Sequence, residues 1–178
     1  MNSFVLDYVK YIKECIGRQS HVLEVGSLDV NGSVRQFFTD ADEYIGLDLV
    51  SGKSVDVVAD AHDIKKIFKE ESFDCVICCE TIEHDPKFWI TIDNMRWVLK
   101  SGGWLIISAP SLQQWIHNYP HDYWRFLPDA FYLIFLEGYD NIDGAVGYPD
   151  DEVIENPNPR RDIRTICCFG QKPLKKST

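Results

Sequence analysis

The sequence predicts a mostly parallel α/β sheet flanked by helices, and three observations carry that prediction. Apolar runs of five to seven residues recur along the chain, helix-compatible stretches separate them, and the first two runs end in a glycine and a carboxylate. Strands buried on both faces of a parallel sheet read as nearly continuous apolar runs, and the alternation of strand and helix implies parallel crossovers.

The elements follow in order. Val5, Tyr8, Val9, Ile12 and Ile16 recur at helical spacing, with Ser3 as a cap and Gly17 as a stop, so a helix is expected over 3–17. Strands are expected at 21–25, 43–47, 55–59, 73–79 and 103–109. A helix is expected over 86–99, capped by Asp85, started by Pro86 and ended by Gly102 and Gly103. An aromatic-rich connection over 111–127 leads to a helix over 128–137. Strands at 140–148 and 163–170 then flank a loop rich in Pro, Asn and charge, which suits an antiparallel pairing better than a parallel crossover. The expected sheet has seven strands, the last antiparallel.

At 178 residues the chain is long enough for one α/β domain with its own core, and 45% hydrophobic residues exclude a disordered chain. Residues 1–171 are expected to form that domain, with the basic segment 172–178 as a solvated, mobile tail. A formal net charge of −10 opposes a broad electrostatic grip on nucleic acid. No basic segment followed by a long apolar core opens the chain and no window approaches a membrane span, so a cytoplasmic protein without membrane insertion is expected.

The six cysteines lie mostly within strand-like runs, which suits buried thiols in a reducing compartment. Cys75 and Cys78 have ligand-like spacing. Within a strand, however, residues three apart face opposite ways, and no second pair completes a zinc set, so no metal is expected.

Chemistry is concentrated at the strand ends. Val22-Leu-Glu-Val-Gly-Ser27 is a strand entering a glycine turn, and Tyr44-Ile-Gly-Leu-Asp48 places a carboxylate 22 residues after Gly26. An acid near that separation is suited to accepting hydrogen bonds from ribose hydroxyls.

With Val58-Ala-Asp-Ala-His62, Phe73-Asp-Cys-Val-Ile-Cys-Cys-Glu-Thr-Ile-Glu-His84 and Leu99-Lys-Ser-Gly-Gly-Trp-Leu-Ile-Ile-Ser108, these segments form an ordered set. The set resembles the class I S-adenosylmethionine-dependent methyltransferases, in particular the type 11 group, over about residues 20 to 137. The resemblance implies a Rossmann-like fold and S-adenosylmethionine as cofactor. It implies that Gly26 and Ser27 pass the methionine part while Glu24 orients their loop. It likewise implies that Asp48 holds the ribose, Leu49 lies along the adenine, Asp60 and Ala61 bond its edge, and Cys79 and Glu80 lie near the sulfonium. One departure is Leu28, which stands where members often carry a second glycine.

Methyl transfer from a sulfonium is an in-line displacement, so alignment and exclusion of water are the enzyme's main tasks. A general base would help a hydroxyl or amine acceptor. The candidates are His84 beyond the fourth strand, whose competing role is packing or helix capping, and His121 in the segment 115–125, which also holds His117 and Arg125. That segment suits either a roof for the core or a lid over an acceptor pocket.

A methyltransferase acting on a small-molecule or biosynthetic-intermediate acceptor is therefore expected. The alternative is a catalytically weak or inactive cofactor-binding subunit, motivated by Leu28 and the lack of an obvious base. Nucleic-acid methylation is opposed by the acidity and by the absence of an Asn/Asp-Pro-Pro-Tyr/Phe element. Nothing in the chain specifies its oligomeric state.

Overall fold

In a computed structural model, residues 3–112, 114–116, 121–147 and 163–175 are described. Helix α1 (Ser3–Ile16) precedes β1 (His21–Val25), a single 3-10 turn (Val34–Phe37), β2 (Glu43–Asp48) and β3 (Val57–Val58). A 3-10 turn (Ala61–Asp63) and the short α2 (Ile64–Ile67) lead to β4 (Phe73–Cys79), and another turn (Ile82–His84) leads to α3 (Phe88–Val98). Strand β5 (Leu99–Pro110), α4 (Pro128–Ala130) continuing as a π-helical turn (Phe131–Phe135), β6 (Asp140–Gly147) and β7 (Thr165–Gln171) complete the described elements.

These strands form one seven-stranded sheet in the order β3-β2-β1-β4-β5-β7-β6. Strands β1 to β5 pair in parallel, while β7 is antiparallel to both β5 and β6. The predicted fold is thus the observed one. The order reverses at β1, from which the chain first builds outward through β2 and β3 and then returns to β4. In open sheets of this kind, ligands bind beyond the strands' carboxyl ends at such a switch point.

Successive strand residues face opposite sides, and this alternation divides the core in two. Val22, Cys75, Ile77, Ile106 and Cys167 pack beneath Val5, Val9 and Ile12 of α1. Leu23, Val76, Cys78, Leu105, Ile107 and Cys168 pack on the other face with Met95 and Val98 of α3. Cys75 and Cys78 therefore lie on opposite faces, as a strand requires. Among the cysteines only Cys15 is exposed, and burial raises the thiol values of the other five.

Several boundaries differ from the sequence reading, each for a local reason. Strand β3 keeps two residues instead of five because Ser54, at φ 70°, turns the chain immediately before it. Helix α3 starts at Phe88, since Asp85 accepts from the Lys87 amide and the Thr91 hydroxyl instead of capping a helix from Pro86. Strand β5 begins at Leu99 opposite Phe73, and a register shift containing Gly102 at φ 80° precedes the Trp104 pairing with Cys75.

The helix predicted over 128–137 becomes π-helical from Phe131, with the Leu136 amide donating to the Phe131 carbonyl at 2.9 Å. That register keeps both Phe131 and Phe135 inside, their rings edge-on at 5.1 Å. The strand predicted over 140–148 is described over Asp140–Gly147, and residue 148 and the loop predicted at 149–161 lie outside the described residues.

Residues 172–175 of the basic segment lie against the end of α3 and the start of β5. Lys172 is partly buried and donates to the carbonyls of Arg96 and Leu99 at 2.9 and 2.6 Å, at the end of α3. Lys175 donates its amide to Ser101 Oγ and its ammonium to Glu71. Free carbonyls at a helix carboxyl end are natural partners for a lysine, which accounts for the place of Lys172.

Candidate active site

Four connections meet at the carboxyl edge of the sheet, around the switch point. The first leaves β1 at Gly26, whose φ of 79° lies in the region that favours glycine. A Cβ there would fall 2.0 Å from Thr81 Oγ1 and 2.8 Å from Thr81 Cβ, so Gly26 lets the turns after β1 and β4 lie against each other. The amides of Gly26 and Ser27 donate to the Leu47 carbonyl at 2.8 and 3.1 Å, extending the β1–β2 ladder past its end. Ser27 is buried and its hydroxyl turns toward Gly46 in β2, so only its backbone faces the edge.

Leu28 accounts for the departure noted in the sequence. Its side chain lies against Gly52, where a Cβ would meet Leu28 Cδ1 at 2.3 Å. Its amide donates to Asp48 Oδ2 at 3.0 Å, and Val50 donates to Asp48 Oδ1 at 3.2 Å. Asp29 continues the seam by donating its amide to the Lys53 carbonyl at 3.0 Å. The glycine loop is thereby fastened along the loop that follows β2. Leu49 and Val50 stand exposed beside Asp48.

Glu24 sits below this loop on the α1 side and accepts from Tyr44 Oη at 2.7 Å. Burial pushes its carboxyl up to about 7, against the pull of the Tyr44 hydrogen bond and of Arg35. Its hydrogen-bond partner is thus a β2 side chain. A carboxyl raised on folding favours the folded state fully below its ordinary range, and that contribution is lost as pH rises through about 7. Unfolding free energy is thus expected to fall by about 2 kcal/mol between pH 5 and 8 on this account. Urea titrations of wild type and Glu24→Gln would check it, because the variant should lose that share of the slope.

The third connection carries Asp60 and Ala61. Asp60 Oδ1 accepts from the His62 amide at 2.8 Å, and Asn94 Nδ2 of α3 donates to the Ala61 and His62 carbonyls, both at 2.9 Å. His62 Nε2 lies 3.0 Å from Asp85 Oδ1. The turn is stapled to α3, while the Asp60 carboxylate stays half exposed.

The fourth leaves β4 through Cys79, which is buried, and Glu80, which adopts φ 51°. Glu80 donates its amide to the Ser108 carbonyl at 3.1 Å and accepts from Ser108 Oγ at Oε1, also at 3.1 Å. Burial pushes the Glu80 carboxyl up to about 7, and the Ser108 hydrogen bond opposes that push. Glu83, one turn on, is fully buried, and burial followed by the charge of Glu80 raises its carboxyl well above the usual range.

The aromatic segment after β5 docks on this connection. His84 Nδ1 donates to the His121 carbonyl, the Tyr123 amide donates to the Glu83 carbonyl at 2.8 Å, and Trp124 Nε1 donates to the Asp85 carbonyl at 2.9 Å. Arg125 grips Asp122 through both terminal nitrogens and also donates to the carbonyls of Gln114, Trp115 and Trp124. Both candidate histidines are brought to one place, but His84 meets the His121 backbone while the His121 ring is exposed beside Tyr123. His117 lies outside the described residues. Phe126, just beyond the segment, enters the core, while Trp115 and Ile116 project into solvent.

Thr81, Asn94 and Ser108 escaped the sequence reading. Asn94, buried and polar among Ile92, Met95 and Val98 on α3, left the clearest trace. Thr81 and Ser108 left none, since each acts through a partner distant in sequence. An open hollow of about 510 Å³ lies beside the glycine loop, lined by Asp29, Arg35 and Lys53 among others, and its lining includes none of Asp48, Asp60 or Glu80. Among the described residues no group of three or more His, Cys, Asp or Glu side chains is placed to hold a metal ion, and no helix is long and apolar enough to cross a membrane.

Residues 20–107, the span from β1 through most of β5, match the family model described as Methyltransferase domain. That span of the chain is similar to methyltransferase domains. Solved methyltransferases share its fold. One is a SAM-dependent methyltransferase from Archaeoglobus fulgidus, at 15% identity and TM-score 0.69, covering 94% of each chain. Another is the 1,6-didemethyltoxoflavin-N1-methyltransferase of Burkholderia thailandensis, at 14% identity and TM-score 0.69, covering 95% of this chain and 78% of that one. NodS, an N-methyltransferase from Bradyrhizobium japonicum, aligns at 14% identity and TM-score 0.64 over 94% of each chain. Among curated proteins none matches this chain.

Solved fold relatives are named as SAM-dependent or as complexes with S-adenosyl-L-methionine, and the residues at the sheet edge of this chain suit that cofactor. Asp48 has accepted one amide on each oxygen, and a carboxylate has about four acceptor positions, so both oxygens retain capacity for ribose hydroxyls. Asp60 has one oxygen engaged by its own turn and is half exposed. Gly26 offers backbone without a side chain where the loops converge.

Proposed function

We propose that this methyltransferase acts on a small-molecule or biosynthetic-intermediate acceptor bound between the β4 connection and the aromatic segment 121–125. The observation that carries this reading is the convergence of Gly26, Asp48, Asp60 and Glu80 at the sheet's switch point, with the aromatic segment hydrogen-bonded to the same edge. Fold relatives named as N-methyltransferases of 1,6-didemethyltoxoflavin and of phosphoethanolamine support the size class of the acceptor.

In this reading Asp48 orients the ribose, Leu49 covers the adenine, and Asp60 with Ala61 reads its edge. The backbone at Gly26 and Ser27 passes the methionine portion, Cys79 and Glu80 lie beside the sulfonium, and Glu24 supports the loop from below through Tyr44. The cofactor supplies an electrophilic methyl group. The chain's task is to hold the acceptor in line with it and to keep water away, which Tyr123 and Trp124 do as the apolar wall. His84 fixes the mouth through the His121 carbonyl, and the His121 ring forms its exposed rim.

The test is incubation of the protein and isotopically labelled S-adenosylmethionine with a metabolite extract, followed by mass spectrometry. A labelled small product that depends on Asp48 is expected. Cofactor binding without any labelled product across the extract would instead favour a non-catalytic binding subunit.

A further inference from the structure

We propose that the methyl acceptor carries an anionic group, a carboxylate or a phosphate, and that the free edge of the Arg164 guanidinium binds it. This rests on the small-molecule reading above and adds a specificity-determining residue to it.

Arg164 reaches the ligand edge because β7 runs antiparallel to β5, so that its first residues, and not its last, lie at the carboxyl end of the parallel strands. Pro110 pairs with Thr165, and one step further the Ser111 amide donates to the Arg164 carbonyl at 2.7 Å. The Arg164 amide in turn donates to the Gly147 carbonyl at 2.9 Å, which fixes its backbone between the ends of β5 and β6. A single residue then organises two guanidinium groups. Gln114 accepts Arg125 Nε at its carbonyl at 3.3 Å and Arg164 Nε at its side-chain Oε1 at 2.6 Å.

The two arginines differ in what they have left to bind. Arg125 has both terminal nitrogens on Asp122, whereas Arg164, partly buried, has no acceptor on either terminal nitrogen among the described residues. The other described arginines are engaged as well: Arg18 with Asp42, Arg35 with Asp56 and two carbonyls, and Arg96 with three carbonyls. Acids are not scarce, since the chain has 28 Asp and Glu against 18 Lys and Arg. Withdrawing a guanidinium from water without an acceptor is costly, so an uncommitted fork at a ligand edge fits an anion that arrives with the substrate. With Nε occupied, the two terminal nitrogens remain, and their parallel N–H bonds match the paired oxygens of a carboxylate or phosphate.

Glu80 relates that anion to the reacting end of the acceptor. The charge of Arg164 reaches Glu80, as do those of Arg125 and the amino terminus, yet no ion pair joins Glu80 to Arg164 among the described residues. The acceptor therefore extends from the sulfonium beside Glu80 to Arg164, with its nucleophile at one end and its anion at the other.

Nuclear magnetic resonance tests the anion site without needing the acceptor, the cofactor or turnover. The protein is titrated with inorganic phosphate and separately with acetate, against chloride at equal ionic strength. The Arg164 Nε–H resonance and the Gln114 side-chain amide are expected to shift saturably with at least one of the two, and the tighter binder names the group. Read from the Gln114 amide, Arg164→Gln should abolish that binding. Arg164→Lys, which keeps the charge and loses the fork, should weaken it about tenfold and serves if Arg164→Gln fails to fold. Shifts no larger than those caused by chloride would overturn the proposal.

The labelled product from the metabolite extract supplies the second readout. Its mass and its retention on an anion exchanger should reveal a carboxylate or a phosphate. Arg164→Gln should raise KM for that acceptor about 100-fold while kcat changes little and affinity for S-adenosylhomocysteine is kept. A labelled product with neither group, or an unchanged KM in Arg164→Gln, would overturn the proposal and leave the small-molecule reading standing. Absence of any labelled product from wild type that binds the cofactor would overturn both.

Discussion

Replacing Gly26 with alanine is expected to abolish detectable cofactor binding and to cost roughly 3 kcal/mol of stability. Two terms add. A non-glycine residue at φ 79° pays about 1–2 kcal/mol for left-handed backbone. The new Cβ would also stand 2.0 Å from Thr81 Oγ1, 2.5 Å from its Cγ2 and 2.8 Å from its Cβ. A rotamer change moves the first two atoms but not the third, so the turns after β1 and β4 must separate. That separation disturbs the cofactor edge on both sides at once. Chemical denaturation reads the first effect and calorimetry with S-adenosylhomocysteine the second. A Gly26→Ala/Thr81→Gly double variant should recover part of the stability, because it removes the collision and leaves the backbone term. Wild-type stability and binding in Gly26→Ala would mean that the two turns are not packed as described.

Asp48→Ala is expected to weaken cofactor binding roughly 100-fold, about 3 kcal/mol. The substitution removes the proposed ribose acceptor and also frees the amides of Leu28 and Val50, which hold the glycine loop against the β2 loop. Asp48→Asn separates these roles. It keeps a carbonyl oxygen for one amide, loses the charge, and should weaken binding about tenfold. If Asp48→Ala lowers stability and leaves affinity for S-adenosylhomocysteine unchanged, Asp48 serves only the loop seam.

The legible parts of this molecule were those encoded by local pattern. Strands β1 and β4 start and end where their apolar runs do, since burial on both faces demands uninterrupted hydrophobicity. The glycine turn and the Asp48 carboxylate could likewise be read from neighbours in the chain. Elements set by competition could not. Asp85 had three possible partners, and its bonds to Lys87, Thr91 and His62 together moved the start of α3. The π turn at Phe131 answers to aromatic packing with Phe88 and Phe126, which no periodicity records. Ser108 meets Glu80 across 28 residues, so its role emerged only once β4 and β5 were paired.

The position of β7 bears on how the protein is made. The strand formed last in sequence is an inner one, wedged between β5 and β6 and bonded to both. Until its residues leave the ribosome, β5 offers an unpaired apolar edge and β6 has no neighbour. The Thr165–Gln171 segment then supplies Ile166, Cys167, Cys168 and Phe169 to both halves of the core at once. Its contacts span most of the chain, the arrangement that slows folding and prolongs exposure of sticky edges. The nascent chain is therefore most prone to aggregate before Thr165–Gln171 is available to pair, and chaperone demand should be greatest at that stage.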